Sequence, residues 1–238
     1  MSGSDYPCRY LKLPLSFDTS EMEQQIRALP QSRWISHMNT GTYEGDWQCL
    51  ALRSINGEAD NIMAVDDASY QDTEALAQCP LVQQALARFD CEKLSVRLMA
   101  LAPDAHIKPH RDRGGAFEDG IARLHIALQT GPEVVFVVED ESVHFSRGDT
   151  WYLNAACTHA VYNRSRQPRV HLMLDCVVNP WLERLFVASG FVARDPGPYG
   201  DPSICHDNAL KIIANLRALP SPAGLAMAQR LEKIYRAR

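Results

Sequence analysis

Between residues 94 and 178 the sequence breaks into short β-rich segments separated by turn residues, and this pattern limits the folds open to the chain. In residues 94–101, alternate side chains fall on opposite faces of an extended strand, with Val96 and Leu98 on one face and Arg97 and Met99 on the other. Further strands are predicted over 121–129, 134–139, 142–146, 150–153, 159–163 and 170–178. Such a series favours a mainly β fold with flanking helices, a double-stranded β-helix of the jelly-roll or cupin-like barrel type, over a parallel α/β sheet.

Helical patterns stand on both sides of this series. A capping-box pattern at Ser20 begins one helix, and residues 73–89 form another in which Pro80 either introduces a kink or separates two shorter helices. Further helices are predicted over 181–193, from Asp207 to Leu219, and from Ser221 onward. We expect one domain over residues 1–238, with a barrel core at about 94–178 and a helical extension at about 181–238 that packs on the barrel or on a second subunit in a homodimer.

Three side chains are candidate metal ligands. His110 and Asp112 are separated by one residue, so on an extended strand they leave the same face, and His159 lies on a later strand that a closing sheet could return to them. Two imidazoles and one carboxylate on one side of an ion suit non-haem iron(II) oxygen chemistry. An isolated His-X-Asp triplet is a weak motif, and structural histidines are the alternative. His106 is four residues from His110, but Pro109 disfavours the helix that such a zinc pair needs.

The order of motifs resembles a known family. After the His-X-Asp triplet come Arg123-Leu-His125-Ile-Ala-Leu, Gly148-Asp-Thr-Trp-Tyr-Leu, His159 and, ten residues later, Arg169. This order is similar to that of the aspartyl/asparaginyl β-hydroxylases, Fe(II)/2-oxoglutarate dioxygenases whose relatives include bacterial hydroxylases of free proline. The similarity covers about residues 94–178, is weaker over the first 90 residues, and does not extend to the tail.

The resemblance implies ligands for a cofactor and a cosubstrate. Fe(II) would be held by His110, Asp112 and His159. Arg169 would bind the distal carboxylate of 2-oxoglutarate, and His125 would also contact that cosubstrate. Arg123, which matches an arginine of the family motif, is the third candidate cofactor-binding residue. O2 would be consumed, and succinate and CO2 released. Since related halogenases carry a small residue in place of the carboxylate ligand, Asp112 favours hydroxylation over halogenation, whereas desaturation, epimerisation and ring closure remain open.

Candidate substrate-binding residues have structural alternatives. Arg97 stands among apolar neighbours and needs an anion, which is either a carboxylate of the substrate or cosubstrate or a partner in an ion pair. Trp34, His37 and Trp47 either contact substrate or belong to the aromatic core and rim. The substrate is expected to be a free amino acid, an amino-acid-derived metabolite, or an Asp or Asn residue of a peptide.

Two other functions remain open. A cupin-type isomerase or hydrolase would use zinc or manganese in a similar barrel without needing Arg169, and a non-catalytic barrel that binds a small acid would need the arginines but not the three metal ligands. A net charge of −5 argues against a nucleic-acid or membrane-surface partner. The seven scattered cysteines form no Cys-X-X-Cys pair, and neither a leader peptide nor an apolar run of spanning length is seen, so we expect free thiols and a cytoplasmic protein.

Overall fold

The computed structural model describes residues 6–65, 68–112 and 114–237. Residues 1–5, on which part of the leader-peptide prediction rests, lie outside these ranges. The chain forms two compact units, Met1–Ala193 and Arg194–Arg238. The first holds the sheets and the second holds two helices.

Within the described ranges the strands are β1 Tyr10–Ser16, β2 Ile35–Ser36, β3 Tyr43–Glu44, β4 Trp47–Ser54, β5 Gln71–Asp72, β6 Lys93–Leu101, β7 His106–His110, β8 Ile121–Gln129, β9 Val134–Val138, β10 Glu141–Val143, β11 Asp149–Leu153, β12 His159–Asn163 and β13 Arg169–Val177. The α-helices are α1 Ser20–Arg27, α2 Glu74–Ala77, α3 Pro80–Leu86, α4 Pro180–Ala188, α5 His206–Ala218 and α6 Pro222–Arg236.

The strands of the first unit form two antiparallel sheets. The larger sheet has the order β1-β11-β8-β13-β6-β4-β2, with β5 paired to β4, and the smaller sheet has the order β10-β9-β12-β7-β3. The strands are distributed between two sheets, as in the predicted jelly roll. This topology places β7 and β12 side by side in the smaller sheet, and β8, β13 and β6 side by side in the larger one.

The two faces predicted for the strand over residues 94–101 are confirmed, and both faces of the larger sheet are buried there. On β6, Val96 and Leu98 belong to a core between that sheet and the helices, whereas Met99 and Leu101 belong to a second core between the two sheets. The face of β6 that carries Met99 also carries Arg97, and both side chains line a pocket.

The helices of the first unit follow the predictions with small changes. Helix α1 begins at Ser20 as expected, but its capping box does not form, and the Ser20 N–H donates to the Asp18 carboxylate instead. Pro80 is the first residue of α3, so it separates two short helices, the first of them capped by the Thr73 hydroxyl. Proline fits this first helical position because the N–H it lacks would have no partner there.

The second unit is a helical pair with its own small core. Ser221 caps α6 as predicted, whereas Cys205, not Asp207, is the N-cap of α5. The buried side chains of this core are Tyr199, Ala209, Ile213, Ala228 and Leu231. In the described part of the chain no helix is both long and apolar enough to cross a bilayer.

Candidate metal centre and pocket

The three predicted metal ligands converge at one point of the smaller sheet. His110 ends β7, His159 begins β12, and the two residues are paired in register with ring centroids 4.2 Å apart. Asp112 follows β7, and its backbone N–H donates to the carbonyl of Ala155 at 2.8 Å. One ligand atom from each of the three side chains lies within 4.8 Å of the others. The set is compact enough to enclose one ion.

Hydrogen bonds fix the orientation of both imidazoles. Nδ1–H of His110 donates to the carbonyl of Lys108 at 2.8 Å, and Nδ1–H of His159 donates to the carbonyl of Cys157 at 3.0 Å. A carbonyl can only accept, so Nδ1 carries the proton in each ring and the Nε2 lone pair is left for a metal. Burial, together with the neighbouring His110, lowers the pKa of His159 to about 4, so this ring is neutral at physiological pH.

The two oxygens of Asp112 have different partners. Oδ2 accepts a hydrogen bond from Arg123, whereas Oδ1 lies 3.8 Å from Nε2 of His110. Burial opposes ionisation, but Arg123 and the two histidines outweigh it and hold the pKa of Asp112 below its usual range. The ionised carboxylate therefore keeps one oxygen directed to the metal position.

A buried ion-pair network continues from Arg123, and its central member was missed in the sequence. Asp175 on β13 is 3% exposed and accepts from Nε of Arg123 at 2.8 Å and from a terminal nitrogen of Arg97 at 2.6 Å. Burial alone would raise the pKa of Asp175, but the two guanidiniums hold it down to about 2. The sequence signal that could have identified Asp175 is a carboxylate within the apolar run of β13. The structure adds that Asp175 is paired directly with Arg123 on β8.

This network supplies one of the two anions considered for Arg97. Its guanidinium forms an ion pair with Asp175 and donates to the carbonyl of Ile62 at 3.1 Å, so the structural ion pair is present. The donors of Arg123 that were expected to face cosubstrate are likewise taken up by two carboxylates. Both arginines still line the pocket, and contact of either with a bound ligand stays a prediction.

Arg169 is different, because it is buried without a counter-charge. It is 2% exposed, its Nε has no hydrogen-bond partner, and its guanidinium forms no ion pair with the described residues. The guanidinium carbon lies 5.1 Å from the centroid of the Phe136 ring. Burial lowers the pKa of Arg169 to about 9, which still leaves it charged at neutral pH. A buried, unpaired cation in a cavity needs an anion.

Two buried histidines lie near Arg169, His171 on the same strand β13 and His125 on the adjacent strand β8. Both ring nitrogens of His125 and of His171 lack partners among the described residues, and burial lowers the pKa of each ring well below 6.5. His125 lines the pocket and offers a neutral donor and acceptor there. His171 packs parallel to the ring of Phe136 and forms no hydrogen bond, so it does not orient Arg169 in that way.

The mouth of the pocket is aromatic. His37 stacks on Trp47 with ring centroids 3.7 Å apart, and burial lowers the pKa of His37 to about 4. Both residues line the pocket, together with Asn39 and Thr42, which the sequence did not single out. Trp47 also belongs to the core between the two sheets, as in the aromatic-core alternative, and contact of either residue with a substrate stays a prediction. Trp34 lies instead against the core between the larger sheet and the helices.

The loop that follows Asp112 packs at Gly115 against the loop that contains Ala155. A Cβ on Gly115 would lie 2.7 Å from the Cβ of Ala155, and the carbonyl of Gly115 accepts from the Ala155 N–H at 3.0 Å. Glycine is therefore needed at 115 for this close approach. Arg113 lies outside the described residues, and closure of this loop over a substrate stays a prediction.

Comparison with known proteins adds a family to this geometry. The aspartyl/asparaginyl β-hydroxylase family model matches residues 18–179, a span that includes every pocket residue. An L-proline cis-4-hydroxylase of Rhizobium meliloti (strain 1021) is 26% identical over 164 residues, covering 68% of this chain and 58% of that protein. An L-proline cis-3-hydroxylase of Streptomyces sp is 25% identical over 162 residues, covering 63% and 56%. The chain thus spans less than two thirds of the length of both relatives.

Among solved structures, a 2OG-Fe(II) oxygenase family oxidoreductase from Burkholderia pseudomallei matches 71% of this chain and 85% of its own, with a TM-score of 0.49 and 13% identity. A Pseudomonas putida prolyl-4-hydroxylase matches 73% and 94%, with a TM-score of 0.45 and 12% identity.

Proposed function

The chain belongs to the aspartyl/asparaginyl β-hydroxylase family, and on this premise we propose that it is an Fe(II)- and 2-oxoglutarate-dependent dioxygenase that hydroxylates an unactivated C–H bond. The proposed substrate is an amino acid, an amino-acid-derived metabolite, or an Asp or Asn residue of a peptide. Succinate and CO2 would be released. The observation that carries the proposal is the unpaired, buried Arg169 in the same cavity as the three metal ligands.

The donor set fits Fe(II). His110 and His159 would each offer Nε2 to the metal, because their Nδ1 atoms are engaged with backbone carbonyls, and Asp112 would supply a carboxylate oxygen. Two nitrogens and one oxygen from one side leave further coordination positions open to a chelating cosubstrate and to oxygen. Bound Fe(II) and 2-oxoglutarate would supply the activation of O2. The residues of the chain would bind, orient and exclude water.

Arg169 fits the distal end of 2-oxoglutarate. It stands on the larger sheet, across the cavity from the metal ligands on the smaller sheet. A planar guanidinium binds a carboxylate by two parallel hydrogen bonds, and burial strengthens these because no water competes. In the network of Asp112, Arg123, Asp175 and Arg97, each cation has an adjacent carboxylate. Of the cationic pocket-lining side chains in the described residues, Arg169 is the one without a carboxylate partner.

Three further sets of side chains would complete the site. Neutral His125 would donate a hydrogen bond to bound cosubstrate, as the pocket offers its unpaired nitrogens no other partner in the described chain. The stacked rings of His37 and Trp47 at the mouth would cover the substrate and keep water from the reacting C–H bond. Arg97 would complement a carboxylate of the substrate while it remains paired with Asp175.

Succinate formation tests the proposal. Purified protein is incubated with 2-oxoglutarate, O2 and Fe(II), with and without each member of a panel of free amino acids and short Asp- or Asn-containing peptides. The expected result is succinate release that depends on Fe(II) and is stimulated by one class of substrate, with a mass gain of one oxygen in the product. Absence of succinate under every condition, with a bound zinc or manganese ion, would favour a cupin-type isomerase or hydrolase. Absence of succinate and of bound metal would favour a non-catalytic acid-binding barrel.

A further inference from the structure

We propose that Asp175 is a positioning residue of the metal centre, which acts through Arg123 to hold Asp112 in its metal-binding orientation. The inference rests on the proposed function, because it assigns a role to a residue behind the metal ligands. Asp175 does not itself line the pocket. Its effect on the metal must therefore pass through another side chain.

The contacts form an unbroken path from Asp175 to the metal position. Oδ1 of Asp175 accepts from Nε of Arg123 at 2.8 Å, and a terminal nitrogen of Arg123 donates to Oδ2 of Asp112. The other oxygen of Asp112 is then the one 3.8 Å from Nε2 of His110. Arg123 is thereby held by a carboxylate at both ends of its guanidinium, and the rotation of the Asp112 carboxylate is restricted.

Backbone register makes this path rigid. Asp175 on β13 is directly paired with Arg123 on the adjacent strand β8, and Arg97 on β6 is paired with Met173, two residues before Asp175 on the same face of β13. The three side chains therefore come from three neighbouring strands of the larger sheet, whereas Asp112 follows a strand of the smaller sheet. The ion pairs connect the two sheets at the metal position.

The charges of the network explain why an anion is needed at 175. Asp175 stands between two guanidiniums, and without its charge Arg97 would have no carboxylate partner among the described residues, while Arg123 would keep only Asp112. Uncompensated positive charge next to a cation site weakens metal binding. Without Asp175, the Arg123 side chain could also move, and the Asp112 carboxylate that it orients would be held less firmly. Loss of a residue that supports a metal ligand typically weakens metal binding by about 10- to 100-fold.

The test measures metal binding rather than turnover. Co(II) alone is titrated into metal-free wild type and Asp175→Asn, which keeps the size of the side chain and removes its charge, while the visible absorption of the Co(II) site is recorded. The expected result is a Kd raised about 10- to 100-fold with an altered absorption band. An unchanged Kd and band in folded Asp175→Asn would overturn the inference. Wild type that binds no Co(II) would overturn the proposed function as well.

A matched control separates positioning from the general loss of an ion pair. Asp149 on β11 of the same sheet is ion-paired with Lys12 and accepts from Ser16, but it does not line the pocket. Asp149→Asn should bind Co(II) with the Kd and absorption of wild type. Equal weakening in both variants would mean that Asp175 acts only through overall stability, and would overturn the positioning role.

A second variant covers failure of Asp175→Asn to fold. The double variant Arg97→Met and Asp175→Asn removes one positive and one negative charge together, so the buried charge stays balanced while the anchor of Arg123 is still lost. It should remain folded and show the weakened Co(II) binding. Wild-type Co(II) binding by the folded double variant would overturn the inference.

Discussion

Replacing Arg169 by methionine should stabilise the protein in the absence of ligands and weaken its binding of 2-oxoglutarate. These opposite effects have one cause, the burial of an unpaired cation that only a bound anion can compensate. Methionine is similar in length and apolar, so it removes the charge without opening a large cavity. If Arg169 had a purely structural role, its replacement would destabilise the ligand-free protein instead.

The stability change can be bounded from the pKa of Arg169. Burial lowers it to about 9, and at 1.36 kcal/mol per pKa unit the difference from the usual pKa of arginine corresponds to an upper limit of about 5 kcal/mol. The sign follows from linkage: the folded protein releases this proton more readily than the unfolded chain, so the penalty is fully present at every pH below about 9. Replacement of buried charges by apolar residues gives about 1–4 kcal/mol in practice, which for a protein of this size raises the Tm by about 2–4 °C per kcal/mol.

The binding change comes from the two hydrogen bonds that a guanidinium makes to a carboxylate. Each hydrogen bond to a charged group contributes about 1.5–3 kcal/mol. Loss of both therefore weakens 2-oxoglutarate binding by about 3 kcal/mol or more, at least about 100-fold.

Thermal unfolding measures both effects in one experiment. Wild type and Arg169→Met are melted alone, with Mn(II), and with Mn(II) plus 2-oxoglutarate, Mn(II) serving as a metal that does not turn over. A ligand at 100 times its Kd adds about 2.7 kcal/mol of stability, so 2-oxoglutarate should raise the Tm of wild type but not of the variant. Arg166→Met, a change of an exposed arginine three residues earlier, should match wild type throughout. A ligand-free Arg169→Met protein less stable than wild type, with unchanged 2-oxoglutarate binding, would refute the reasoning.

Three further outcomes are expected. Asp112→Ala should abolish succinate formation and bound Fe(II), because it removes the only carboxylate among the three candidate ligands, as checked by product assay and metal analysis. Gly115→Ala should destabilise the protein by about 1–3 kcal/mol in chemical unfolding, because its Cβ would overlap that of Ala155. The metal-free protein should lose stability as the pH falls below about 6.5, since burial keeps His125 and His171 neutral while the unfolded chain binds their protons, and each contributes a slope of about 1.4 kcal/mol per pH unit.

Each of these outcomes has a control. For Asp112→Ala, substitution of exposed Asp140 should leave metal content and turnover as in wild type. For Gly115→Ala, alanine at Gly41, whose Cβ would meet nothing closer than 3.9 Å, should leave stability within about 0.5 kcal/mol. For the pH profile, His171→Phe should lower the slope of the unfolding free energy against pH by the contribution of one proton, about 1.4 kcal/mol per pH unit. An unchanged slope in that variant would show that His171 titrates normally in the folded state.

Much of the fold could be predicted because it depends on local periodicity. Strand β6 alternates because one of its faces packs in the apolar core under the helices and the other carries Arg97 to the pocket. Turn residues mark the strand ends, and the strand over 159–163 was predicted to the residue. The metal ligands were found for a related reason: a spacing of two residues on an extended segment fixes the face of His110 and Asp112 whatever the rest of the fold.

Contacts between distant strands were beyond the reach of sequence patterns. Arg97, Arg123 and Arg169 are all arginines within β-rich segments, and nothing in their local sequences separates two that are paired from one that is not. The register of three neighbouring strands brings Asp175 against the first two and leaves the third without a counter-charge. Local sequence thus determined which side chains face the cavity. Only the tertiary structure decided which of their charges remain uncompensated, because the energy of a buried charge depends on neighbours that are far away in the chain.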